Sequence, residues 1–258
     1  RKVNKKTMEL FQIGYVPNEW RQLYIFLTEH GFSDSVIEKA GLTIQNQKGY
    51  YDRFRGRIMF PIFDYSGRII AFSGRIFGEE ESHGGKYVNS PVTILYDKSH
   101  ALYGYDKAKI EMKKTNVCIL VEGQDDLILA HQAGFSNTVA VSGTALSINH
   151  LQAIRRFANT IIFAFDADAA GIGALERGMM NTLEFGMDSK VVALPDGTDP
   201  ADIFGRDALL WKNLVEDAMH VVDFYLAMFD REPKDERLLR VLIEKRVIPY
   251  IARIKSSI

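Results

Sequence analysis

The central part of the chain, residues 116–195, alternates between short apolar runs and longer stretches of helix-forming sequence. The apolar runs are rich in β-branched and aromatic residues and predict strands at 117–121, 138–141, 160–165 and 190–194. The stretches between them predict helices near 126–133, 147–158 and 169–185, with helix ends at Gly134 and Gly186. This alternation is typical of a small parallel sheet with right-handed helical crossovers.

The segments on either side of the predicted sheet have different patterns. Residues 1–42 look mostly helical, and two apolar runs then surround a glycine-containing turn at 64–67, which predicts a β-hairpin. The C-terminal part is again helical and amphipathic, which predicts a small bundle. The predicted fold is therefore α/β, with a parallel sheet flanked by helices (116–203), a preceding mixed α/β subdomain (1–115) and a following small helical bundle (204–258).

Composition places the chain among ordinary globular proteins. Hydrophobic residues make up 47% and charged residues 25% of the 258 positions. No stretch approaches the roughly 20 apolar residues that a membrane span needs, so we expect no membrane partner. The single cysteine, Cys118, lies in a predicted strand, which excludes an internal disulfide and a Cys-rich zinc site. This cysteine usage fits a reducing, cytoplasmic location.

The formal net charge of −1 hides an uneven distribution along the chain. Residues 1–115 carry 18 lysines and arginines against 13 aspartates and glutamates, whereas the remaining residues carry 14 against 20. A basic half joined to an acidic half suggests that one region meets a polyanion and the other collects cations. A solvated surface would explain the basic half about as well. A helix-like basic stretch runs through Lys107, Lys109, Lys113 and Lys114, and the last of these lysines are expected on a solvated helix face.

Three arginines alternate along the chain just before the predicted hairpin, at Arg53, Arg55 and Arg57. Alternate residues of an extended backbone lie on one face, so the three guanidinium groups are predicted to share a face. Tyr51 and Phe54 are interleaved with them. Arginines for backbone phosphates and rings for bases are typical of a surface that binds single-stranded nucleic acid. The alternative is an exposed strand face in contact with solvent.

Acidic residues follow three of the four predicted strands. The candidates are Glu122, Asp126, Asp166, Asp168, Asp199 and Asp202. Ligands bind at the carboxyl edge of open parallel sheets, and so many carboxylates cannot all stay ionised there unless cations bind or pKa values rise. Such oxygen ligands suit Mg²⁺ or Mn²⁺, and two ions of this kind can activate a hydroxyl nucleophile. The alternative for Asp126 and Asp168 is that they simply favour helix N-termini.

The motifs Val121-Glu122-Gly123-x-x-Asp126 and Phe165-Asp166-x-Asp168-x-Ala170-Gly171 resemble the single-Glu and Asp-x-Asp motifs of the TOPRIM fold. TOPRIM domains occur in primases, topoisomerases, some nucleases and recombination proteins. Further motifs resemble the catalytic core of the bacterial replicative DNA primase, the DnaG family. They are YDRFRGRIMFPI (51–62), FSGR (72–75), KYVNSP (86–91), VSGTAL (141–146) and LPDGTDP (194–200). The resemblance covers nearly the whole chain and implies a TOPRIM-type sheet.

The resemblance implies an enzyme, a DNA-directed RNA polymerase that makes short RNA primers on single-stranded DNA by two-metal nucleotidyl transfer. It implies two or more Mg²⁺ or Mn²⁺ ions held by Glu122, Asp126, Asp166, Asp168 and Asp199. Of these, Glu122, Asp166 and Asp168 would be catalytic. It also implies a groove for the template and the incoming nucleotide. Together with the three alternating arginines, which we call the arginine stripe, the predicted contacts are Arg53, Arg55, Arg57, Arg75, Lys86, Tyr87, Asn89 and Lys98.

The family also implies partners and a location. The direct partners would be the single-stranded DNA template and ribonucleoside triphosphates. The replicative helicase and the single-stranded-DNA-binding protein would bind through regions outside this chain. Full-length members carry an N-terminal zinc-binding domain, but the single cysteine predicts no zinc here, so the chain looks like the RNA-polymerase core alone. We expect a cytoplasmic protein of a bacterial, nucleoid-associated replisome.

The chain departs from the usual family residues at several positions. Gln124 and Asp125 stand where an aromatic residue and a methionine are usual, and Ala169 stands where an arginine is usual. Ala201 stands where many members carry an acid, and Asp202 follows it. These departures keep two other functions open. One is a TOPRIM nuclease, which would degrade DNA without nucleotides, and the other is a non-catalytic module that binds DNA or nucleotide without turnover.

Overall fold

A computed structural model describes residues 3–78, 85–166, 169–195, 197–204, 208–230 and 236–252. Its backbone contacts divide the chain into two compact units, Asn4–Ala101 and Leu102–Ile258, the second of which also takes in Arg1–Val3. The division into three domains with bounds at 115 and 203 stays a prediction. In the described ranges, no helix is long and apolar enough to cross a membrane.

The first unit, Asn4–Ala101, is built around an antiparallel sheet. Its described helices are α1 (Lys5–Phe11), α2 (Gln22–Glu29) and α3 (Asp34–Lys39). Its described strands are β1 (Gly14–Val16), β2 (Thr43–Asn46), β3 (Gly49–Asp52), β4 (Arg57–Phe63), β5 (Ile69–Ile76) and β6 (Tyr87–Asn89). One sheet has the order β1-β4-β5-β6, and β2 pairs with β3 in a separate hairpin. The core of the unit includes Phe11, Ile37, Phe54, Phe60 and Ile62.

The predicted hairpin between the two apolar runs is confirmed. β4 and β5 pair in antiparallel register from Arg57 opposite Ile76 to Phe63 opposite Ile69. Asp64 closes the turn, because its carboxylate accepts the backbone N–H of Ser66 at 2.8 Å and that of Arg68 at 3.0 Å. The φ angle of Gly67 is +84°, a value that side chains disfavour.

The second unit contains the strand–helix alternation that the sequence predicts. Its described strands are β7 (Val117–Val121), β8 (Thr138–Ala140), β9 (Thr160–Phe163), β10 (Asp188–Val191) and β11 (Met219–His220). Its described helices are α4 (Tyr105–Thr115), α5 (Gln124–Gln132), α6 (Ile148–Arg155), α7 (Ala169–Glu184), α8 (Pro200–Phe204), α9 (Ala208–Glu216), α10 (Val221–Asp230), α11 (Glu236–Leu242) and α12 (Ile248–Ile251), with a π-helical turn at Ile243–Val247.

The sheet of the second unit has the strand order β11-β10-β9-β7-β8. β7 pairs in parallel with both β8 and β9, and β9 pairs in parallel with β10, which confirms the predicted parallel sheet. Apolar side chains of the strands and of the crossover helices form one core that includes Leu120, Leu151, Phe163 and Met179. The helices therefore cover the sheet, and the strand ends are left to carry polar residues.

Two of the departures from the predicted pattern concern the β10–β11 edge of this sheet. β10 begins at Asp188 rather than at 190, because exposed Asp188 and Lys190 alternate with buried Ser189 and Val191 instead of forming an apolar run. The C-terminal part is helical as predicted, except that Met219–His220 forms β11 and pairs antiparallel with β10. This short strand makes the segment after residue 204 a part of the sheet's edge.

Candidate metal centre and nucleic-acid surface

Two of the predicted carboxylates meet beyond the neighbouring strands β7 and β9. Glu122 follows β7 directly, and Asp166 follows the end of β9 by a few residues. The two strands are parallel and pair with Leu120 opposite Phe163, so both strands finish at the same end of the sheet. The backbone N–H of Asp166 donates a hydrogen bond to Oε1 of Glu122 at 3.3 Å. The structure therefore brings Glu122 and Asp166 together.

Asp126 reaches the same region from the first turn of α5, where its side chain is buried. A Cβ atom on Gly123 would lie 2.6 Å from Oδ2 of Asp126, so the carboxylate is folded back against the backbone next to Glu122. A carboxylate in the first turn also interacts favourably with the helix dipole. Asp126 thus adds an acid next to Glu122 at the end of β7.

The first turn of α7 packs directly against the Glu122–Asp166 pair. A Cβ atom on Gly171 would lie 2.2 Å from the carbonyl oxygen of Asp166 and 2.9 Å from Oε1 of Glu122. Both distances are shorter than real Cβ contacts, so any larger residue would displace the helix or the two acids. Glycine at position 171 is therefore a steric requirement of this arrangement.

The other predicted ligands are placed differently. Asp168 lies outside the described residues. Oδ1 of Asp199 accepts a hydrogen bond from the backbone N–H of Asp202 at 2.7 Å, so Asp199 caps the short helix α8. Among the described residues, which leave out Asp168, no group of three or more His, Cys, Asp or Glu side chains could hold a metal ion by itself. The metal-binding roles of these acids stay predictions.

The chemistry of the donors nevertheless fits a divalent cation. Glu122, Asp126 and Asp166 offer carboxylate oxygens, which Mg²⁺ and Mn²⁺ prefer. Gln124 adds an amide oxygen in the same first turn of α5. Its side chain is only 5% exposed, and its buried Oε1 has no hydrogen-bond partner within the described part of the chain. Sequence reasoning treated Gln124 only as a departure from the family, because nothing in the sequence shows that it is buried.

In the first unit, Arg55 lies against two aromatic rings. Its guanidinium carbon is 4.1 Å from the ring centroid of Trp20 and 5.2 Å from that of Tyr51. The two rings are 5.6 Å apart, and Trp20 is 55% exposed. We call Trp20, Tyr51 and Arg55 the aromatic platform. An exposed ring beside a cation can stack on a base while the cation attracts the phosphate backbone.

Asp52 holds the aromatic platform together. Its carboxylate accepts the backbone N–H groups of Leu23 at 2.7 Å and of Tyr24 at 2.8 Å, which fixes the first turn of α2. Its own backbone N–H donates to the carbonyl of Trp20 at 2.8 Å, and its carbonyl accepts a hydrogen bond from Nη1 of Arg55. Burial raises the pKa of the Asp52 carboxyl, and the helix N–H groups oppose this change.

The prediction that Arg53, Arg55 and Arg57 share one strand face is wrong. β3 ends at Asp52, and Gly56 has a left-handed φ of +57°, so the backbone between β3 and β4 is not extended. Nε of Arg53 donates to the carbonyl of Gly41 at 2.9 Å. Phe54, the ring expected among them, is buried at 3% exposure.

Arg57 is a structural residue of the first unit. It is only 2% exposed, and Nη1 donates to the carbonyl oxygens of Gly74 at 3.1 Å and Gly85 at 3.2 Å. Burial removes water from both guanidinium groups and thereby lowers the pKa values of Arg53 and Arg57. Of the three arginines, Arg55 has the contacts expected of a nucleic-acid ligand, whereas Arg57 ties strands together.

The remaining predicted contacts lie on the β5–β6 pair and after it. Arg75 is opposite Tyr87 in the register, with its guanidinium carbon 5.9 Å from the ring centroid. Lys86 and Tyr87 are exposed, and Asn89 is half-buried opposite Ser73. Lys98 is half-buried in the turn that follows Tyr96. The structure therefore brings Arg75, Lys86 and Tyr87 together at one end of this sheet.

Sequence reasoning missed several residues around the aromatic platform. Tyr24 stacks on Tyr50 with ring centroids 5.7 Å apart, and the guanidinium carbon of Arg21 is 5.0 Å from the Tyr24 ring. A depression of about 510 Å³ is lined by Trp20, Arg21, Asn46, Gln47, Lys48, Gly49, Tyr50 and Tyr51. Aromatic and basic residues are interleaved at positions 20 to 24, and this signal could have located the surface.

Comparison with protein families divides the chain in two. The family described as DNA primase catalytic core, N-terminal domain, matches residues 1–109. The family described as Toprim-like matches residues 119–204. The first match covers the aromatic platform, and the second covers Glu122, Asp126 and Asp166. Families that contain a Toprim domain together with a primase core use divalent metal ions.

Individual relatives agree with the family matches. The DNA primase of Clostridium acetobutylicum is 39% identical over 227 residues, which cover 87% of this chain and 37% of that protein. The RNA polymerase domain of Mycobacterium tuberculosis primase DnaG is 31% identical, with a TM-score of 0.85 over 98% of this chain and 83% of that domain. A DnaG primase catalytic domain bound to single-stranded DNA is 29% identical, with a TM-score of 0.81 over 98% and 80%. The chain spans about two-fifths of the length of the curated primases it matches.

Proposed function

Because the chain belongs to the family of RNA polymerase domains of bacterial primase DnaG, we propose that it catalyses DNA-templated synthesis of short RNA primers. The observation that carries this proposal is the match of the primase catalytic-core family to residues 1–109. TOPRIM sheets occur with several activities, whereas this N-terminal domain is described for primases. A TOPRIM nuclease or a non-catalytic module is therefore not favoured.

The proposed metal site would be formed by carboxylates that follow β7, β9 and β10. Glu122, Asp126, Asp166, Asp168 and Asp199 would hold two or more Mg²⁺ or Mn²⁺ ions. When bound, such ions would lower the pKa of the primer 3′-hydroxyl and neutralise the charge of the triphosphate. The hydrogen bond from the Asp166 N–H to Oε1 of Glu122 supports this assignment, because it fixes two acids from different strands relative to each other.

Glu122, Asp166 and Asp168 are the proposed catalytic residues, and the chain supplies their positions through its backbone. The close approach of Gly171 keeps α7 against the first two of them. Buried Gln124 and Asp126 line the adjoining turn of α5, which limits the water that can surround the site on this side. A fixed, partly buried set of carboxylates needs little rearrangement when charge develops during the reaction.

The proposed substrates are a single-stranded DNA template and ribonucleoside triphosphates. The aromatic platform would stack on template bases while Arg55 neutralises phosphates. Arg53 and Arg57 belonged to the predicted contacts, but their hydrogen bonds to backbone carbonyls favour a supporting role. Arg75, Lys86, Tyr87, Asn89 and Lys98 would contact the template or the triphosphate. The replicative helicase and the single-stranded-DNA-binding protein would bind regions outside this chain, in a bacterial cytoplasmic replisome.

The test is incorporation of labelled ribonucleotides by the chain on a single-stranded template with a pre-annealed primer, in Mg²⁺ and in Mn²⁺. We expect extension that depends on the metal and on the template. A parallel reaction with end-labelled DNA and no nucleotides should leave the DNA intact. Shortened DNA without extension would replace the proposal by a nuclease, and DNA binding without either reaction would replace it by a non-catalytic module.

A further inference from the structure

A basic surface with an apolar centre lies on α4 and just beyond α6, within the second unit. The buried side of α4 presents Tyr105, Ala108 and Met112 to the core. The other side borders a depression of about 480 Å³ that is lined by Lys109, Ile110, Lys113, Lys114 and Phe157. We call these five residues the α4 surface. The metal site and the aromatic platform do not include any of them.

The α4 surface lies at the end of the sheet where the parallel strands begin. The carboxylates lie at the opposite end, where the strands finish. α4 ends directly before β7 begins, and the chain beyond α6 leads into β9. Asn116 joins these two places, because its Oδ1 accepts the backbone N–H of Asn159 at 2.9 Å and its carbonyl accepts that of Thr160 at 3.3 Å. The five residues of β7 span about 16 Å, so the length of one strand separates this end of the sheet from Glu122.

Tyr105 holds Phe157, the aromatic residue of the α4 surface, in place. Its hydroxyl donates to the carbonyl of Ala153 at 2.6 Å, and its ring makes an edge-to-face contact with Phe157 at 6.0 Å. Burial raises the pKa of Tyr105 to about 12, while the nearby positive charge of Arg156 opposes this change.

The rim of the α4 surface is cationic, and its centre is apolar. Lys113 and Lys114 are exposed, and Lys114 pairs with Glu111 at 2.9 Å, which is an acid of the same helix. Ile110 stands between the lysines and is 63% exposed. The sequence predicted a solvated helix face for the last lysines of this stretch, and Lys113 and Lys114 are indeed exposed. Lys107, earlier in the same helix, pairs with Asp106 at 2.7 Å and is largely buried.

We propose that the α4 surface binds an acidic peptide segment of a partner protein that carries one large apolar side chain. The apolar side chain would fill the depression between Ile110 and Phe157, and flanking carboxylates would pair with Lys109, Lys113 and Lys114. A buried apolar anchor with a polar rim is common in protein interfaces, and complementary charges at the rim favour the matching partner. Single-stranded nucleic acid fits less well, because the half-buried Phe157 ring already packs against Tyr105 and is the lone aromatic ring among the five residues.

The test is fluorescence anisotropy with a labelled peptide of eight Asp and Glu residues around one central Phe. We expect binding to the unmodified chain, and affinity about tenfold weaker for Ile110→Ser and for Lys113→Gln. Lys212→Gln, which removes an exposed lysine of α9 in the same unit, is the matched control and should bind like the unmodified chain. Circular dichroism of each variant establishes that the fold is kept.

Two further probes decide what the surface recognises. A peptide with Ser in place of the central Phe should bind about tenfold more weakly. Equal binding of the two peptides, or unchanged affinity in Ile110→Ser, would overturn the proposal, because charge alone would then explain the contact. Binding of an oligothymidylate that is lost in Lys113→Gln would also overturn it in favour of a nucleic-acid surface. Ribonucleotide incorporation by Ile110→Ser should be unchanged, so this test does not depend on the proposed polymerase activity.

Discussion

The guanidinium carbon of Arg55 lies 4.1 Å from the ring centroid of Trp20, although the two residues belong to different segments of the first unit. A cation over an indole ring is attracted by about 0.5–2 kcal/mol, depending on how far water is excluded. Asp52 makes the contact possible, because it binds the segment of Trp20 and the side chain of Arg55 at once. The platform is thus set by the backbone N–H and carbonyl of Asp52, while the Asp52 carboxylate fixes the start of the neighbouring helix α2.

Removing either member of this pair should weaken binding of single-stranded DNA. For Trp20→Ala we expect a loss of about 1–3 kcal/mol, the usual value of one ring–base stack. For Arg55→Ala we expect a salt dependence that is shallower by about 0.7 in log K against log salt, because one phosphate contact is lost. The measurement is fluorescence anisotropy with an oligothymidylate at several salt concentrations. Tyr65→Ala, which removes another exposed ring of the same unit, should bind normally.

Arg57 should behave in the opposite way to Arg55. Arg57→Ala leaves the carbonyl of buried Gly74 without this donor and also removes the hydrogen bond to the exposed Gly85, so we expect the free energy of unfolding to fall by about 1–3 kcal/mol. The salt dependence of DNA binding should not change at temperatures where the variant is folded. Urea unfolding followed by circular dichroism measures the first quantity. A variant as stable as the unmodified chain, but with a shallower salt dependence of DNA binding, would show that Arg57 contacts the nucleic acid and does not stabilise the fold.

Asp64 predicts a pH dependence of the β4–β5 hairpin. Backbone N–H groups of Arg68 and Ser66 and the Arg68 side chain lower the pKa of this carboxyl below its ordinary value of 3.8. The folded state therefore holds this proton less tightly than the unfolded state, so the stabilisation is present above pH 3.8 and is lost as the pH falls through the lowered pKa. Asp64→Asn should be less stable than the unmodified chain at pH 7, and the difference should shrink below pH 3.8. A difference that stays constant from pH 7 to pH 2 would contradict this role.

Two glycines of α7 offer a matched test of the packing at the carboxylates. Gly171→Ala would drive a Cβ atom to 2.2 Å from the carbonyl of Asp166, so we expect loss of ribonucleotide incorporation together with lower stability. Gly173→Ala meets only the flexible end of Arg177 at 3.5 Å. That variant should keep its activity and gain about 0.5–1 kcal/mol, because alanine favours the helix. Equal activity of the two variants would show that α7 does not constrain Glu122 and Asp166.

The sequence was sufficient for the parallel strands of the second unit but not for the edge strand β11, because the central strands are apolar runs with helices between them. It was less informative where the pattern depends on pairing. β10 alternates between exposed and buried residues, so its start lies outside the apolar run that marks it. The arginine stripe failed at Gly56, whose left-handed backbone breaks the extended segment on which the prediction rested. Trp20 was missed because hydrogen bonds between Asp52 and the segment at positions 23–24 bring it beside Tyr51, and these two segments are far apart in the sequence.

The central claim is that Glu122 takes part in metal-dependent nucleotidyl transfer, and Glu122→Gln tests it most directly. Glutamine keeps an oxygen that can accept the N–H of Asp166, so the fold and the hydrogen bond should survive while the negative charge is removed. Asp188→Asn, at an exposed acid where β10 begins, is the control with the same change of charge. The measurement is the rate of labelled ribonucleotide incorporation on a primed single-stranded template in Mg²⁺ and in Mn²⁺. We predict a rate at least about a hundredfold lower for Glu122→Gln and a normal rate for Asp188→Asn. A folded Glu122→Gln variant that extends primers at the normal rate would contradict the account.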